Sequence, residues 1–395
     1  MRRTDPFPVP DYAGLEPTHA LDWAAMARLV VRQVLRLAPR ERVILSANPY
    51  FAGAMLDAVR AEIQHVGAIE LATLLHWTPV LTELRTAAGR RPDPVVARAE
   101  DQAIRELFQL ADVFVWLPHD GRSACATYTV GQTEGAMETW GGRAVHFHWF
   151  HDPNDPNPDS PANRALDRVY ADAILQLDYM VLKRTMLALS ERLAETTVRI
   201  TNPAGTDLTF RTTTRFHCNF GDASRERVVD AQSVRDREEE IPCGALRTIP
   251  IGGSVEGIIG FAQPFGYPAE GYGLPFDRFM ADGLRIVFER GRVVRVETGG
   301  DQGALDALWA AETGDRDRLG EMVLGCNPLL RPVPGSTFQP YHGFGAGILR
   351  LTIGENGESG GSYRSSLHRW LMLLDATIVA GGRVLVEHGR LVATS

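Results

Sequence analysis

The feature that most restricts this chain is a change of texture at about residue 197. Before it, short apolar runs alternate with stretches of helical periodicity; after it, short runs pair across tight-turn signals. In the first half, RVILSAN (42–48), IELATLL (69–75), DVFVWLP (112–118) and RAVHFHWF (143–150) read as strands. Between them, LDWAAMARLVVRQVLRL, GAMLDAVRAEIQHVG and VVARAEDQAIRELFQLA repeat apolar residues every three or four positions, the first helix with Thr18 as its expected cap. Strands that are apolar throughout must be covered on both faces, and alternation with helices does this in a parallel, doubly wound α/β sheet. The proline-rich HDPNDPNPDSPAN (151–163) fits neither helix nor strand and reads as a linker or active-site loop; helical patterns from Ala162 to about Glu195 follow.

From Thr197 onward the signals are those of hairpins. TVRITN and DLTFRT flank a Pro-Ala-Gly turn, LRIVFE and VVRVET flank Arg290-Gly291, and ATIVA and RVLVEH flank Gly381-Gly382. A chain of 395 residues exceeds the usual single core, so the expectation is an N-terminal α/β domain over 1–195 and a mainly β (α+β) domain over 196–395.

Composition excludes several classes of function. A net charge of −8, with arginines interleaved among acids, disfavours a nucleic-acid binder, which needs clustered positive charge. The longest apolar stretch, Leu371 to Ala380, is interrupted by Asp375 and is too short to span a bilayer. The first residues, MRRTDPFPVPDY, lack the apolar core of a secretory signal, and the four cysteines (Cys125, Cys218, Cys243, Cys326) form no CxxC pair; a cytoplasmic location with reduced thiols is expected. The glycine pairs carry no phosphate-cradling spacing, so no nucleotide cofactor is indicated.

Three stretches carry a family resemblance: IPCGALRTIPIGGSVEG (241–257), RLGEMVLGCNP (318–328), and GILRLTIG followed by SYRSSLHRW near the end. In this order they resemble the aminopeptidase T family of metallo-aminopeptidases, whose relatives include 2,5-dihydroxypyridine dioxygenases. The resemblance implies a two-domain, usually homodimeric protein with divalent metal in its C-terminal domain. Peptidase members use two metals, and dioxygenase members a single Fe(II) held by two histidines and a carboxylate.

Residue by residue, the carry-over is incomplete. Glu321 and His368 match metal ligands. Ala245 stands where the peptidases place a Glu, Arg350 where the family has a His, and Trp370 where it has a carboxylate; a guanidinium has no lone pair to offer a cation. The resemblance implies metal, Fe(II) or Zn(II), at Glu321 and His368, or a remodelled site with none. Glu240, Glu355, Glu358 and His342 are the nearby groups that could substitute. Arg350, Trp370, Tyr363 and His342 are the expected substrate-binding residues, Arg350 through a substrate carboxylate.

Outside the resemblance, His146, His148 and His151, with Asp152, form the densest histidine group, and strand alternation places His146 and His148 on one face. Parallel sheets bind ligands at the carboxyl ends of their strands, so these histidines, and His119 after its own strand, are candidates to line an interdomain cavity. Metal or acid–base chemistry and a purely structural role are both open for them. His217-Cys218 reads as structural, because neighbouring side chains on a strand diverge. The run Arg235 to Glu240 reads as a solvated face, with Glu240 set apart by lying just before the Pro-x-Gly segment.

The expected function is that of an enzyme acting on a small polar or aromatic metabolite by ring opening or hydrolysis. Glu321, His368, His146, His148, His151 and Glu240 are the catalytic candidates, working with a remodelled mononuclear metal site or as metal-free acid and base. The alternative is a catalytically silent binding or scaffold protein of the same fold; a true metallo-aminopeptidase is disfavoured by Ala245 and Arg350.

Overall fold

A computed structural model describes residues 21–75, 94–117, 137, 139–149, 151, 155, 157, 159–261, 277–331 and 344–392. In chain order the strands are β1 (Arg42–Ala47), β2 (Ile69–Leu75), β3 (Val113–Trp116), β4 (Arg143–Phe147), β5 (Thr197–Thr201), β6 (Asp207–Arg211), β7 (His217–Cys218), β8 (Glu238–Ile241) and β9 (Ala245–Thr248). They continue as β10 (Glu256–Gly260), β11 (Arg285–Glu289), β12 (Arg292–Glu297), β13 (Leu319–Gly325), β14 (Leu349–Gly354), β15 (His368–Leu373), β16 (Thr377–Ala380), β17 (Arg383–Glu387) and β18 (Arg390–Leu391).

The chain forms two compact units. One comprises 1–171, 222–231 and 237–241; the other comprises 172–221, 232–236 and 242–395. The division therefore follows two excursions of the chain as well as one crossing point.

In the first unit the four expected strands form a parallel sheet in the order β2-β1-β3-β4-β8. Its fifth strand is a correction to the sequence reading. The Glu238–Ile241 segment, expected on a solvated face, lies parallel to β4 with all four residues buried. Charge composition suggested solvent, but the free edge of β4 offers a ladder of backbone partners that outweighs it. Helices Trp23–Arg28, Pro49–His65 and Pro94–Gln109 occupy the expected segments. The first is capped by Asp22, whose carboxylate accepts from the Ala25 N–H at 2.8 Å; Thr18 lies outside the described residues.

The second unit holds two antiparallel sheets. The larger runs β12-β11-β10-β6-β5-β16-β17-β18 and contains all three expected hairpins, β5–β6, β11–β12 and β16–β17. In the last two, both turn residues have positive φ, Arg290 with Gly291 and Gly381 with Gly382. This is the twist a two-residue hairpin requires.

The smaller sheet, β15-β14-β13-β9-β7, carries the candidate site. Along its strands, residues alternate between two faces. One face is apolar: Leu246, Met322, Leu324, Leu349, Leu351, Ile353, Leu371 and Leu373 are all buried. Each such side chain contributes roughly 1.5–3 kcal/mol of burial free energy. Two of the motif stretches meet at the end of this sheet. Gly244 has φ +137°, and a Cβ there would lie 2.7 Å from that of Asn327, whose amide donates to the Cys243 carbonyl at 2.8 Å. The glycine of the Pro-x-Gly segment and the asparagine of the Asn-Pro segment are thus a backbone clasp.

Candidate functional site

The opposite face of the smaller sheet is polar, and its composition follows from register. Val323 on β13 is paired with Arg247 of β9 on one side and Arg350 of β14 on the other. Two residues along β13, on the same face, Glu321 pairs with Thr352, which pairs with Trp370 of β15; His368 lies opposite Gly354. His217 continues the row beyond Arg247, and Ala245 lies opposite Gly325 on the same face.

Three charged side chains are fully enclosed there. Arg247 and Arg350 are each 1% exposed and Glu321 6%. Nη1 of Arg247 is 3.4 Å and Nη2 of Arg350 3.5 Å from the same oxygen, Oε2 of Glu321, while the Ser359 hydroxyl donates to Oε1. Burial by itself pushes the Glu321 carboxyl up, but the two guanidiniums and the Ser359 hydrogen bond outweigh it, and its pKa falls below the ordinary value. The guanidiniums are backed by aromatic rings: both face Phe344, at 5.0 Å for Arg247 and 5.5 Å for Arg350, and Arg350 also lies 4.5 Å from the centre of the Trp370 ring.

His368 is held through both ring nitrogens. Nδ1 is 3.1 Å from the Glu355 carbonyl oxygen, to which it donates, and Nε2 accepts the Trp370 indole N–H at 2.8 Å. This pattern assigns the neutral Nδ1–H tautomer. Burial pushes its pKa down, and Glu358 and Glu321 offset this only in part.

The segment after β14 closes over these residues. Asn356 donates to the Gly320 carbonyl at 3.0 Å and accepts from the Tyr363 N–H; Glu355 accepts from the Gly357 and Ser365 N–H groups; Glu358 pairs with Arg235. What remains is a small cleft, partly open to solvent, lined by Arg350, Trp370, His368, Glu321, the Arg235–Glu358 pair, Glu355, Asn356 and Ser359.

The positions that the family resemblance assigned to metal ligands do share this face, but the donors present do not fit a metal. Of the two retained ligands, Glu321 has one oxygen facing two guanidiniums and the other bonded to Ser359, and the His368 lone pair is occupied by the Trp370 N–H. Among the described residues, no three His, Cys, Asp or Glu side chains are placed to hold a cation together.

The histidine cluster belongs to the first unit. Ser46, Trp116, His146 and Glu240 form one register row near the carboxyl ends of β1, β3, β4 and β8. Trp116 stacks on His146 at 4.2 Å, the His146 and His148 rings lie 3.6 Å apart, and His146 Nδ1 is 3.4 Å from Glu238. His151 is drawn away: its Nε2 lies 2.8 Å from Asp167, which also accepts from Trp149.

The sequence candidates thus fall into two groups, His146, His148 and Glu240 in the first unit and Glu321, Arg350, His368 and Trp370 in the second. Tyr363 packs beside Gly252 and under Arg318 and is not among the pocket-lining residues. His342, His119 and Asp152 lie outside the described residues. His217 lies 3.7 Å from Asp236, and its chain neighbour Cys218 occupies the next position of β7, where strand alternation turns it to the other face. Sequence reading missed Arg247, Ser359 and Arg235. Arg247 alone had a signal, since it stands two residues from Ala245 on the same strand face.

No protein-family model and no curated protein matches the sequence. Solved structures do. The structure of 2,5-dihydroxypyridine dioxygenase from Pseudomonas putida KT2440 aligns with 94% of this chain and 97% of its own, with a TM-score of 0.59 and 16% identity. Wild-type AmpT from Thermus thermophilus aligns with 94% of this chain and 99% of its own, with a TM-score of 0.62 and 18% identity. The chain is a divergent example of the fold that these two enzymes share. No helix among the described residues is long and apolar enough to cross a membrane.

Proposed function

We propose that the protein is an enzyme that hydrolyses a small polar or aromatic metabolite carrying a carboxylate, using metal-free acid–base chemistry in the pocket of its second unit. The observation that carries this reading is the placement of Arg350, a guanidinium fixed by Glu321 and Trp370, beside the neutral imidazole of His368 in one pocket. A guanidinium presents its donors in a planar fork, a geometry that suits a carboxylate. His368 Nε2, on exchanging the indole N–H for water, takes a proton from that water as its oxygen attacks the substrate carbonyl carbon. The imidazolium then returns the proton to the leaving group. Glu321 acts as a positioning residue that fixes Arg350.

A second reading is a binding protein without catalysis. It is favoured by the internal satisfaction of the same groups, since both oxygens of Glu321 and both nitrogens of His368 already have partners.

The test is calorimetric titration of the metal-stripped protein with pyridine carboxylates and N-acyl amino acids against their neutral amides, followed by turnover assays on the binders. Binding of the acids alone, lost in Arg350→Met, supports the site; turnover lost in His368→Gln with binding retained supports the enzyme. Binding without turnover selects the second reading, and equal binding of acids and amides rejects the role of Arg350.

A further inference from the structure

We infer that Arg247, Glu321 and Arg350 form a permanent ion triad in which two guanidiniums supply, at Glu321, the positive charge that a divalent cation would supply in a metal site of this fold. The site is therefore assembled without metal. This inference concerns the apo protein and is independent of the substrate reading above.

Its basis is geometric. The two arginines sit opposite the same residue, Val323, on the two strands that flank β13, and Glu321 reaches back to both from two positions away. They converge on one oxygen, at 3.4 and 3.5 Å. Neither is a surface group that has folded inward: each is 1% exposed and faces the fully buried Phe344. A buried guanidinium is costly unless compensated, and a buried carboxylate equally so; Glu321 and the two arginines lower that cost for one another. A divalent cation bound to Glu321 would have to share that oxygen with two fixed positive charges, so it is repelled where a metal site attracts it. The remaining retained ligand, His368, has its lone pair turned to Trp370.

The same geometry makes Glu321 replaceable by a diffusible anion. Truncation to alanine leaves two enclosed guanidiniums around a space the size of a carboxylate. Glu321→Ala is expected to lower the melting temperature by roughly 5–15 °C. Formate or acetate is expected to restore much of that loss, while sodium chloride at equal ionic strength and added Zn(II) or Co(II) are not. The full-length parent protein, treated with EDTA or 1,10-phenanthroline, is expected to keep its melting temperature, and titration with Zn(II), Co(II) or Fe(II) to show no binding that His368→Ala removes. The inference is overturned if chelators destabilise the parent and metal restores it, or if Glu321→Ala abolishes stoichiometric metal binding and ignores formate. Should Glu321→Ala fail to fold, the chelator response of the parent decides alone.

Discussion

Trp370 donates its indole N–H to Nε2 of His368 at 2.8 Å, and this bond, with the one from Nδ1 to the Glu355 carbonyl, fixes the tautomer of the imidazole. The two side chains point from the same face of β15, two residues apart, so the contact is a consequence of strand geometry. A donor aimed at the lone pair stabilises the neutral ring and competes with both a proton and a metal.

Trp370→Phe is therefore expected to raise the pKa of His368 toward its ordinary 6.5, because the donor is lost while the ring's other bond, to the Glu355 carbonyl, remains. Long-range proton–nitrogen spectra of the imidazole across pH read this directly. An unchanged midpoint would assign the effect to burial alone.

Acid sensitivity follows from His368 and Glu321 with the same sign. The folded-state pKa of His368 is depressed, so the unfolded chain binds the extra proton first; the stability it contributes is complete above its ordinary 6.5 and is lost as pH falls below that value. The depressed pKa of Glu321 adds stability that is present above its ordinary 4.5 and is lost on further acidification through the folded value. Urea unfolding at a series of pH values should show a plateau at neutral pH and a decline in two stages. His368→Gln should remove the first stage, and a decline of unaltered shape in that variant would refute the assignment.

Thr352 Oγ1 is fully buried on the site face and has no hydrogen-bond partner among the described residues. Thr352→Val removes an unsatisfied hydroxyl at nearly constant shape and is expected to stabilise the protein by roughly 0.5–1.5 kcal/mol. Equilibrium denaturation measures it. A clear loss of stability would mean that the hydroxyl is served by bound water or ligand.

Gly244→Ala is expected to destabilise by roughly 2–4 kcal/mol, since φ +137° strains any L side chain and the new methyl meets Asn327 and the Phe344 carbonyl. Denaturant midpoints of this variant beside Gly253→Ala, where a Cβ meets nothing within 4 Å, provide the control.

Much of the fold was legible because its signals are local. The apolar runs of β1, β2, β3 and β4, the hairpins at Arg290-Gly291 and Gly381-Gly382, and the pairing of His146 with His148 on one face all follow from a period of two and from turn chemistry. Glu238 to Glu240 were misread because three consecutive carboxylates look solvated until a strand edge is known to receive them.

The sequence by itself determined the alternating α/β first part and the hairpin-built second part, and its family resemblance pointed to Glu321, Arg350, His368 and Trp370 as one group of residues. Only the tertiary structure decided which charged groups meet. Arg247, Glu321 and Arg350 lie on three strands far apart in the chain, and the oxygen they share is fixed by the register of β9 and β14 against β13, which no local pattern encodes. Register is chosen by burial of the whole sheet face, and through it two arginines from different strands came to share one buried carboxylate.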